Sequence, residues 1–140
     1  MEDITEVRIN EFCGDTDMSG LQTTLKFLLR QTHGQDVNLG SKENCDLYNK
    51  LCVEEFREFQ QALEFEGEAE QFKELCDTLW VLIQFANCKG WDLTKGMTAL
   101  VKEYSSKFYT ADGEYQPLFR EDGKLLKNTG FKKANFKGLL

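Results

Sequence analysis

Two groups of acidic residues lie close together near the middle of the chain. The first is VEEFRE, with Glu54, Glu55 and Glu58, and the second is ELCD, with Glu74 and Asp77. On an α-helix, residues three or four positions apart share a face, so each group can present its carboxylates together. Carboxylate oxygens are ligands that Mg²⁺ and Mn²⁺ prefer, and these ions usually keep positions for water and substrate phosphates. Two such helices packed antiparallel would form one anionic metal site.

The ordinary interpretation of an acidic run on a helix is a solvated face, and for either group alone that interpretation comes first. The neighbouring residues argue against it here. In helical projection the apolar residues Leu51 and Ala62 interrupt the first acidic face, and Val81 and Phe85 continue the second. Carboxylates in line with residues that must be buried indicate a lined cavity, so we favour the metal site.

Apolar periodicity predicts an all-α fold with a four-helix-bundle-like core in one domain of 140 residues. A short first helix is expected over Thr5–Phe12. The four core helices are predicted to span residues 20–33, 42–65, 68–89 and 93–108, with Ser41 and Asp92 as N-caps. His33 is predicted to cap the end of the first of these. The C-terminal segment is predicted to be short and irregular or hairpin-like, with a hairpin in LFREDGKLLK.

The second and third core helices carry an unusual amount of apolar surface. One stripe of the second is apolar, and the third is apolar on nearly all sides from Leu75 to Cys88, which makes it the central helix. The stripe of the second helix consists of Cys52, Val53, Phe56, Phe59 and Leu63. Three neighbouring helices in a small monomer would not cover this surface, so we expect a homodimer or homotetramer with these two helices near the interface.

Composition and charge narrow the class of ligand. The net charge of −7 divides into −12 over the first 122 residues and +5 over residues 123–140. The acidic body repels a nucleic-acid backbone, and the five lysines of residues 123–140 are too few to bind a long polyanion strongly. A small phosphorylated ligand is therefore expected rather than DNA or RNA. No apolar run approaches the length of a membrane span, and the five scattered cysteines form no CxxC pair. A cytoplasmic protein with reduced thiols and no membrane partner is the expectation.

The acidic pattern, EExxE at 54–58 followed by ExxD at 74–77, resembles that of the MazG-like all-alpha nucleoside triphosphate pyrophosphohydrolases. The similarity extends to DTLWVLIQFANCKGWDL, to VKEYSSKF and to DGKLLKNTGFKKANF. It covers roughly residues 40–138, which makes it more specific than EExxE alone, a common pattern in helices.

The resemblance implies Mg²⁺-dependent hydrolysis of a nucleoside or deoxynucleoside triphosphate between the α and β phosphates, as in house-cleaning of the nucleotide pool. Mn²⁺ would be able to replace Mg²⁺. The implied ligands of one or two Mg²⁺ are Glu55, Glu58, Glu74 and Asp77, and the implied catalytic residues are Glu54 and Glu55. Glu54 would either complete a second metal shell or take the proton from a metal-bound water. The implied substrate contacts are Lys107, Lys124 and Lys127 on phosphates, with Lys102 and Lys132 as further candidates, and Trp80 and Tyr104 on the base.

Two other functions remain open at the level of sequence. A phosphoribosyl-ATP pyrophosphohydrolase has the same acidic scaffold, and a non-enzymatic helical protein could use its acidic faces to bind a basic partner. A di-iron carboxylate bundle is excluded, because it needs Glu-x-x-His pairs and the one histidine, His33, follows Arg30 at that spacing. Mg²⁺ binding with release of pyrophosphate distinguishes the enzyme from the interaction protein.

Overall fold

The computed structural model describes residues 16–140. Its four α-helices are α1 (Ser19–His33), α2 (Lys42–Phe65), α3 (Glu68–Lys89) and α4 (Leu93–Ser106), followed by a 3₁₀ turn at Lys137–Leu139. This part of the chain contains no β-strand, so the predicted all-α class is confirmed. None of its helices is both long and apolar enough to span a membrane. The helix predicted over Thr5–Phe12 lies outside the described residues.

Local signals at the helix ends explain where the helices begin and stop. Ser41 is the N-cap of α2, and its Oγ accepts a hydrogen bond from the backbone N–H of Asn44 at 3.2 Å. Gly90 follows α3 at φ +71°, in the left-handed region that favours glycine. Both helices have the predicted bounds. α4 ends two residues before Phe108, whose N–H instead bonds to the carbonyl of Ser105 in a tighter turn.

The described residues fall into two compact units. The three-helix unit is Met18–Leu93 and contains α1, α2 and α3. The C-terminal unit contains residues 16 and 17 together with Thr94–Leu140. The single domain expected from the sequence stays a prediction.

In the three-helix unit, α3 packs against both of the other helices. Glu66 and Gly67 alone connect α2 to α3, so the two helices run antiparallel along each other. The core at one end consists of Leu29, Leu39, Tyr48 and Cys88, all buried. Burial of each of the two leucines stabilises the unit by about 1.5–3 kcal/mol relative to exposure.

Buried amide side chains hold α1 in register with α3. Gln84 donates a hydrogen bond to the carbonyl oxygen of Leu25 at 2.8 Å, and Asn87 donates one to Oε1 of Gln84 at 3.1 Å. Gln22 in turn donates to Oδ1 of Asn87 at 3.1 Å. Because buried polar groups are costly unless they are paired, this network specifies one alignment of the two helices.

His33 has a different role from the predicted one. It is the last residue of α1, but the helix end is closed by the N–H of Gly34, which donates to the carbonyl of Arg30 at 2.7 Å. The His33 Nε2 atom lies 2.9 Å from the hydroxyl oxygen of Tyr48. The side chain therefore connects α1 to α2, since the buried tyrosine hydroxyl needs a partner.

The apolar stripe of α2 faces largely outward. Val53, Phe56 and Leu63 are 52%, 55% and 49% exposed, whereas Ala62, on the line that carries acidic residues, is 1% exposed. The same holds for α3, where Leu75, Leu79 and Leu82 are about half exposed. The stripe of α2 that carries Glu55, Glu58 and Ala62 thus packs against α3, and the more apolar stripe does not.

The C-terminal unit contains two hairpin-like turns after α4. Single antiparallel bridges close them, between Tyr109 and Tyr115 and between Phe119 and Leu125. The second bridge lies within LFREDGKLLK, as predicted. The backbone at Gly130 lies close to the backbone of the first turn. A Cβ atom at Gly130 would lie only 2.5 Å from the carbonyl oxygen of Thr110. A larger residue at Gly130 would therefore force the two segments apart.

Candidate metal centre

Packing of α2 on α3 brings three predicted metal ligands together. Glu55 and Glu58 lie one turn apart on α2, and Glu74 comes from the facing helix. Each provides a carboxylate oxygen, and these oxygens lie within 4.8 Å of one another. Three carboxylates at this separation can hold one divalent cation that prefers oxygen ligands.

Two oxygens of this cluster are buried without a hydrogen-bond partner among the described residues. They are Oε2 of Glu55 and Oε2 of Glu74. Glu55 and Glu74 are partly buried while Glu58 is exposed, so the cluster is open on one side. An unsatisfied buried carboxylate oxygen is strongly unfavourable. A hard divalent cation would satisfy both oxygens, so the donor set fits Mg²⁺ or Mn²⁺.

The environment of the cluster favours the protonated form of its buried members. Burial raises the pKa of Glu55, and the neighbouring charges of Glu58, Asp77 and Glu74 raise it further. Burial also raises the pKa of Glu74, with Asp77 and Glu58 adding to it and Lys73 opposing it. Protons and metal ions therefore compete for the same oxygens.

Asp77 lies beside the cluster of three. Its Oδ2 is 2.7 Å from the Nζ of Lys73, four residues earlier on α3, and this lysine is also 3.9 Å from Oε1 of Glu74. The Asp77 charge still acts on the cluster, since it raises the pKa of both buried glutamates. Lys73 was not among the predicted site residues, although its i, i+4 spacing to Asp77 is a signal that sequence carries.

Glu54 and Trp80 are near the cluster in sequence but are not members of it. Glu54 is partly buried on α2 and precedes Glu55. Trp80 follows Asp77 by three residues on α3 and is 45% exposed, which leaves its ring available for stacking. Their predicted roles as catalytic and base-contacting residues stay predictions.

The other predicted substrate contacts belong to the C-terminal unit. The Nζ of Lys107 lies 5.0 Å from the ring centre of Tyr104, and the Nζ of Lys127 lies 4.7 Å from that of Phe131. The side chain of Lys124 is in an exposed turn. Aromatic rings thus position two of the three ammonium groups. Contact of these ammonium groups with phosphates stays a prediction.

Lys102 and Lys132 line a cavity of about 590 Å³ in the same unit. Its other walls include the hydroxyl residues Thr110 and Thr129 and the ring of Phe131, and none of the described residues that line it is a carboxylate. The hydroxyl oxygen of Thr129 accepts the backbone N–H of residue 111 at 2.9 Å, which fixes its orientation. The two lysines are thereby brought to one polar cavity, as further candidates for phosphate contact.

Comparisons with protein-family models, with curated proteins and with solved structures find no match to this chain. The assignment of a function to the acidic cluster therefore rests on its residues and their geometry.

Proposed function

We propose that this protein is a Mg²⁺-dependent pyrophosphohydrolase of nucleoside or deoxynucleoside triphosphates, which releases a nucleoside monophosphate and pyrophosphate. One observation carries the proposal. On facing helices, Glu55, Glu58 and Glu74 place carboxylate oxygens within 4.8 Å of one another, and two buried oxygens of the cluster have no partner among the described residues. Such a cluster destabilises the metal-free protein, which a binding function explains and a solvated surface does not.

In the proposed reaction each residue of the cluster has a defined task. Glu55, Glu58 and Glu74 would hold Mg²⁺, with Asp77 completing the set from the solvent side. When bound, the ion would offset the charge of the polyphosphate and lower the pKa of a water molecule. Glu54, which is partly buried and precedes Glu55 on α2, would accept the proton from the attacking water.

The remaining tasks concern the substrate. Lys107, Lys124 and Lys127 would contact phosphate oxygens as point charges, which suits a flexible polyphosphate. Trp80 and Tyr104, which are 45% and 50% exposed, would stack on the base. These assignments are supported by residue type and exposure.

A panel of the common nucleoside and deoxynucleoside triphosphates with Mg²⁺ tests the proposal. We expect pyrophosphate and a monophosphate, and we expect Glu58→Gln to reduce turnover by about 10²-fold or more, as loss of a charged metal ligand should. Glu64→Gln, at an exposed glutamate of the same helix, is the matched control and should retain full activity.

Each alternative gives a different result in this panel. Release of orthophosphate with a nucleoside diphosphate would contradict cleavage between the α and β phosphates. Turnover of phosphoribosyl-ATP alone would favour that related hydrolase. If no nucleotide is turned over and no metal binds, an acidic interaction protein becomes the better account.

We also propose that two copies of the chain associate through the outward faces of α2 and α3. Phe72, Leu75, Leu79 and Leu82 are spaced i, i+3, i+7 and i+10, which is the pattern of a helix packed along another helix. Around the axis of each helix, the exposed apolar residues lie about a third of a turn away from the residues that pack on the other helix. The rotation has the same direction in α2 and in α3, when each helix is viewed from its own N-terminus. In an antiparallel pair this places both sets on one side.

The area of this face matches what a dimer needs. Its seven half-exposed apolar side chains, three on α2 and four on α3, present roughly 700 Å² to solvent, close to the ~800 Å² per partner of a standard stable interface. They are Val53, Phe56, Leu63, Phe72, Leu75, Leu79 and Leu82. A two-helix face of this kind can pack on a second copy of itself to form a four-helix arrangement.

A further inference from the structure

One cation lies among the predicted metal ligands of the three-helix unit. Two ion pairs of residues 16–140 involve predicted metal ligands, and Lys73 makes both of them. Its Nζ is 2.7 Å from Oδ2 of Asp77 and 3.9 Å from Oε1 of Glu74. The ammonium group therefore binds one oxygen of Asp77, a predicted metal ligand, and lies within ion-pair distance of Glu74, a member of the cluster.

Helix stability alone does not explain this lysine. A lysine four residues before an acidic residue is the weaker orientation of an i, i+4 pair, because the helix dipole favours the acidic residue first. Lys73 is also in the N-terminal half of α3, where a positive charge gains nothing from the dipole. Its position is better explained by the carboxylates that it meets, Asp77 and Glu74, which are both predicted metal ligands.

We propose that Lys73 is the internal counter-ion of the metal centre, which holds Asp77 in the metal-free protein and releases it when a divalent cation binds. This inference rests on the proposed function, because it takes Glu74 and Asp77 as metal ligands. The exposures suit such an exchange. The Lys73 and Asp77 side chains are 63% and 40% exposed, so the lysine can move into water, whereas the Glu74 side chain is only 14% exposed and stays in place.

The exchange has a consequence for metal affinity. In the metal-free protein Lys73 offsets part of the repulsion among the carboxylates, and in the bound protein it is a positive charge near a divalent cation. Both effects oppose binding, the first by stabilising the empty site and the second by Coulomb repulsion. Removal of this charge should tighten metal binding, although it adds no ligand.

Titration of the metal-free 140-residue chain with Mn²⁺, followed by calorimetry or by the electron paramagnetic resonance of the free ion, tests this proposal. We expect Lys73→Gln to lower the dissociation constant for Mn²⁺ about two- to fivefold, the range of an exposed ion pair, with a smaller difference at high salt. We also expect the metal-free variant to melt at a lower temperature and to gain more from Mn²⁺ than the wild type gains.

The chain offers a matched control. Lys42 makes the same i, i+4 pair with Asp46 on α2, at 2.5 Å, and both side chains are exposed. Lys42→Gln removes an equal charge and an equal pair away from the cluster, so it should leave the Mn²⁺ affinity unchanged. Lys73→Arg keeps the charge and should bind Mn²⁺ within about twofold of the wild type.

The possible outcomes separate this role from the metal centre itself. If the wild type binds Mn²⁺ and Lys73→Gln binds it equally or more weakly, Lys73 is not a competing counter-ion, and the proposed function is unaffected. An equal gain in the Lys42 variant would indicate only an effect of net charge and would also overturn the proposal. If neither the wild type nor the variant binds Mn²⁺, the metal centre and the proposed function both fail.

Discussion

At Glu55, burial and neighbouring charge act on the same carboxyl group. Burial is the largest cause of its raised pKa, and the charges of Glu58, Asp77 and Glu74 raise the pKa further. The folded metal-free protein therefore holds this proton more tightly than the unfolded chain does. By linkage, the stability from the protonated group is fully present below the ordinary glutamate pKa of about 4.5 and is lost as pH rises through the higher pKa of the folded state.

Glu55→Gln should accordingly stabilise the metal-free protein at neutral pH. We expect its free energy of unfolding at pH 7 to exceed that of the wild type by ~1 kcal/mol, because the amide is uncharged and can donate to Glu58. The gain should disappear below about pH 4.5, where the glutamate is protonated in both states. Urea denaturation at pH 4 and pH 7, without metal, measures both values.

The same variant should lose the stabilisation that Mg²⁺ gives to the wild type, since it lacks one charged ligand. Glu64→Gln, at an exposed position of α2, is the control and should match the wild type at both pH values. A gain that is equal at pH 4 and pH 7 would show that burial and repulsion at Glu55 are not its cause.

Among the elements, α2 depends on the cap at its N-terminus. The Oγ of Ser41 accepts the N–H of Asn44, one of the first amides of the helix, which have no partner within it. We expect Ser41→Ala to lower the free energy of unfolding by ~1 kcal/mol and Ser41→Asp to retain most of it, since aspartate also caps. Thermal and urea denaturation measure the loss, and an alanine variant as stable as the wild type would contradict it.

The helix ends were predictable where such local signals exist. α2 and α3 have the predicted bounds because Ser41 begins one and Gly90 ends the other, and each signal acts on backbone groups close to it in sequence. The end of α4 was predicted two residues too late. Apolar spacing continues to Phe108, but no stop residue lies there, and hydrogen-bond geometry rather than spacing decides that the last residues form a tighter turn.

The direction in which a helix faces was harder to predict than its bounds. α2 has one apolar line through Val53 and Phe56 and another through Leu51 and Ala62, and periodicity does not decide which of them packs inside. The second line packs on α3 although it carries Glu55. A protein that uses its carboxylates at a helix interface departs from the usual rule that the most apolar face is buried.

At the scale of the whole molecule, spacing alone predicted that Glu55, Glu58 and Glu74 would meet, because antiparallel helices joined by a short link place nearby segments side by side. The pair of Lys73 with Asp77 was missed although its i, i+4 spacing is visible in the sequence, because only the carboxylates of this segment were considered as site residues. The roles of lysines in the C-terminal unit depend on long-range geometry that no local pattern encodes.

The outward face of α2 and α3 leads to the last prediction. Light scattering should give a mass near twice the 16.2 kDa of one chain at micromolar concentration. Phe56→Glu combined with Leu79→Glu should give the monomer mass, because two charges per copy would have to be desolvated in the interface. Phe119→Glu is the matched control, since Phe119 is as exposed as Phe56, at 59% against 55%, but belongs to the C-terminal unit.

The double variant also separates assembly from metal binding. All three carboxylates of the cluster come from one copy of the chain, so a monomeric variant that keeps its helicity should still bind Mn²⁺. A monomeric wild type at all concentrations would refute the dimer and leave the metal centre untouched. Loss of Mn²⁺ binding together with the dimer, at unchanged helicity, would instead show that the second copy holds the two helices at the separation that the cluster needs.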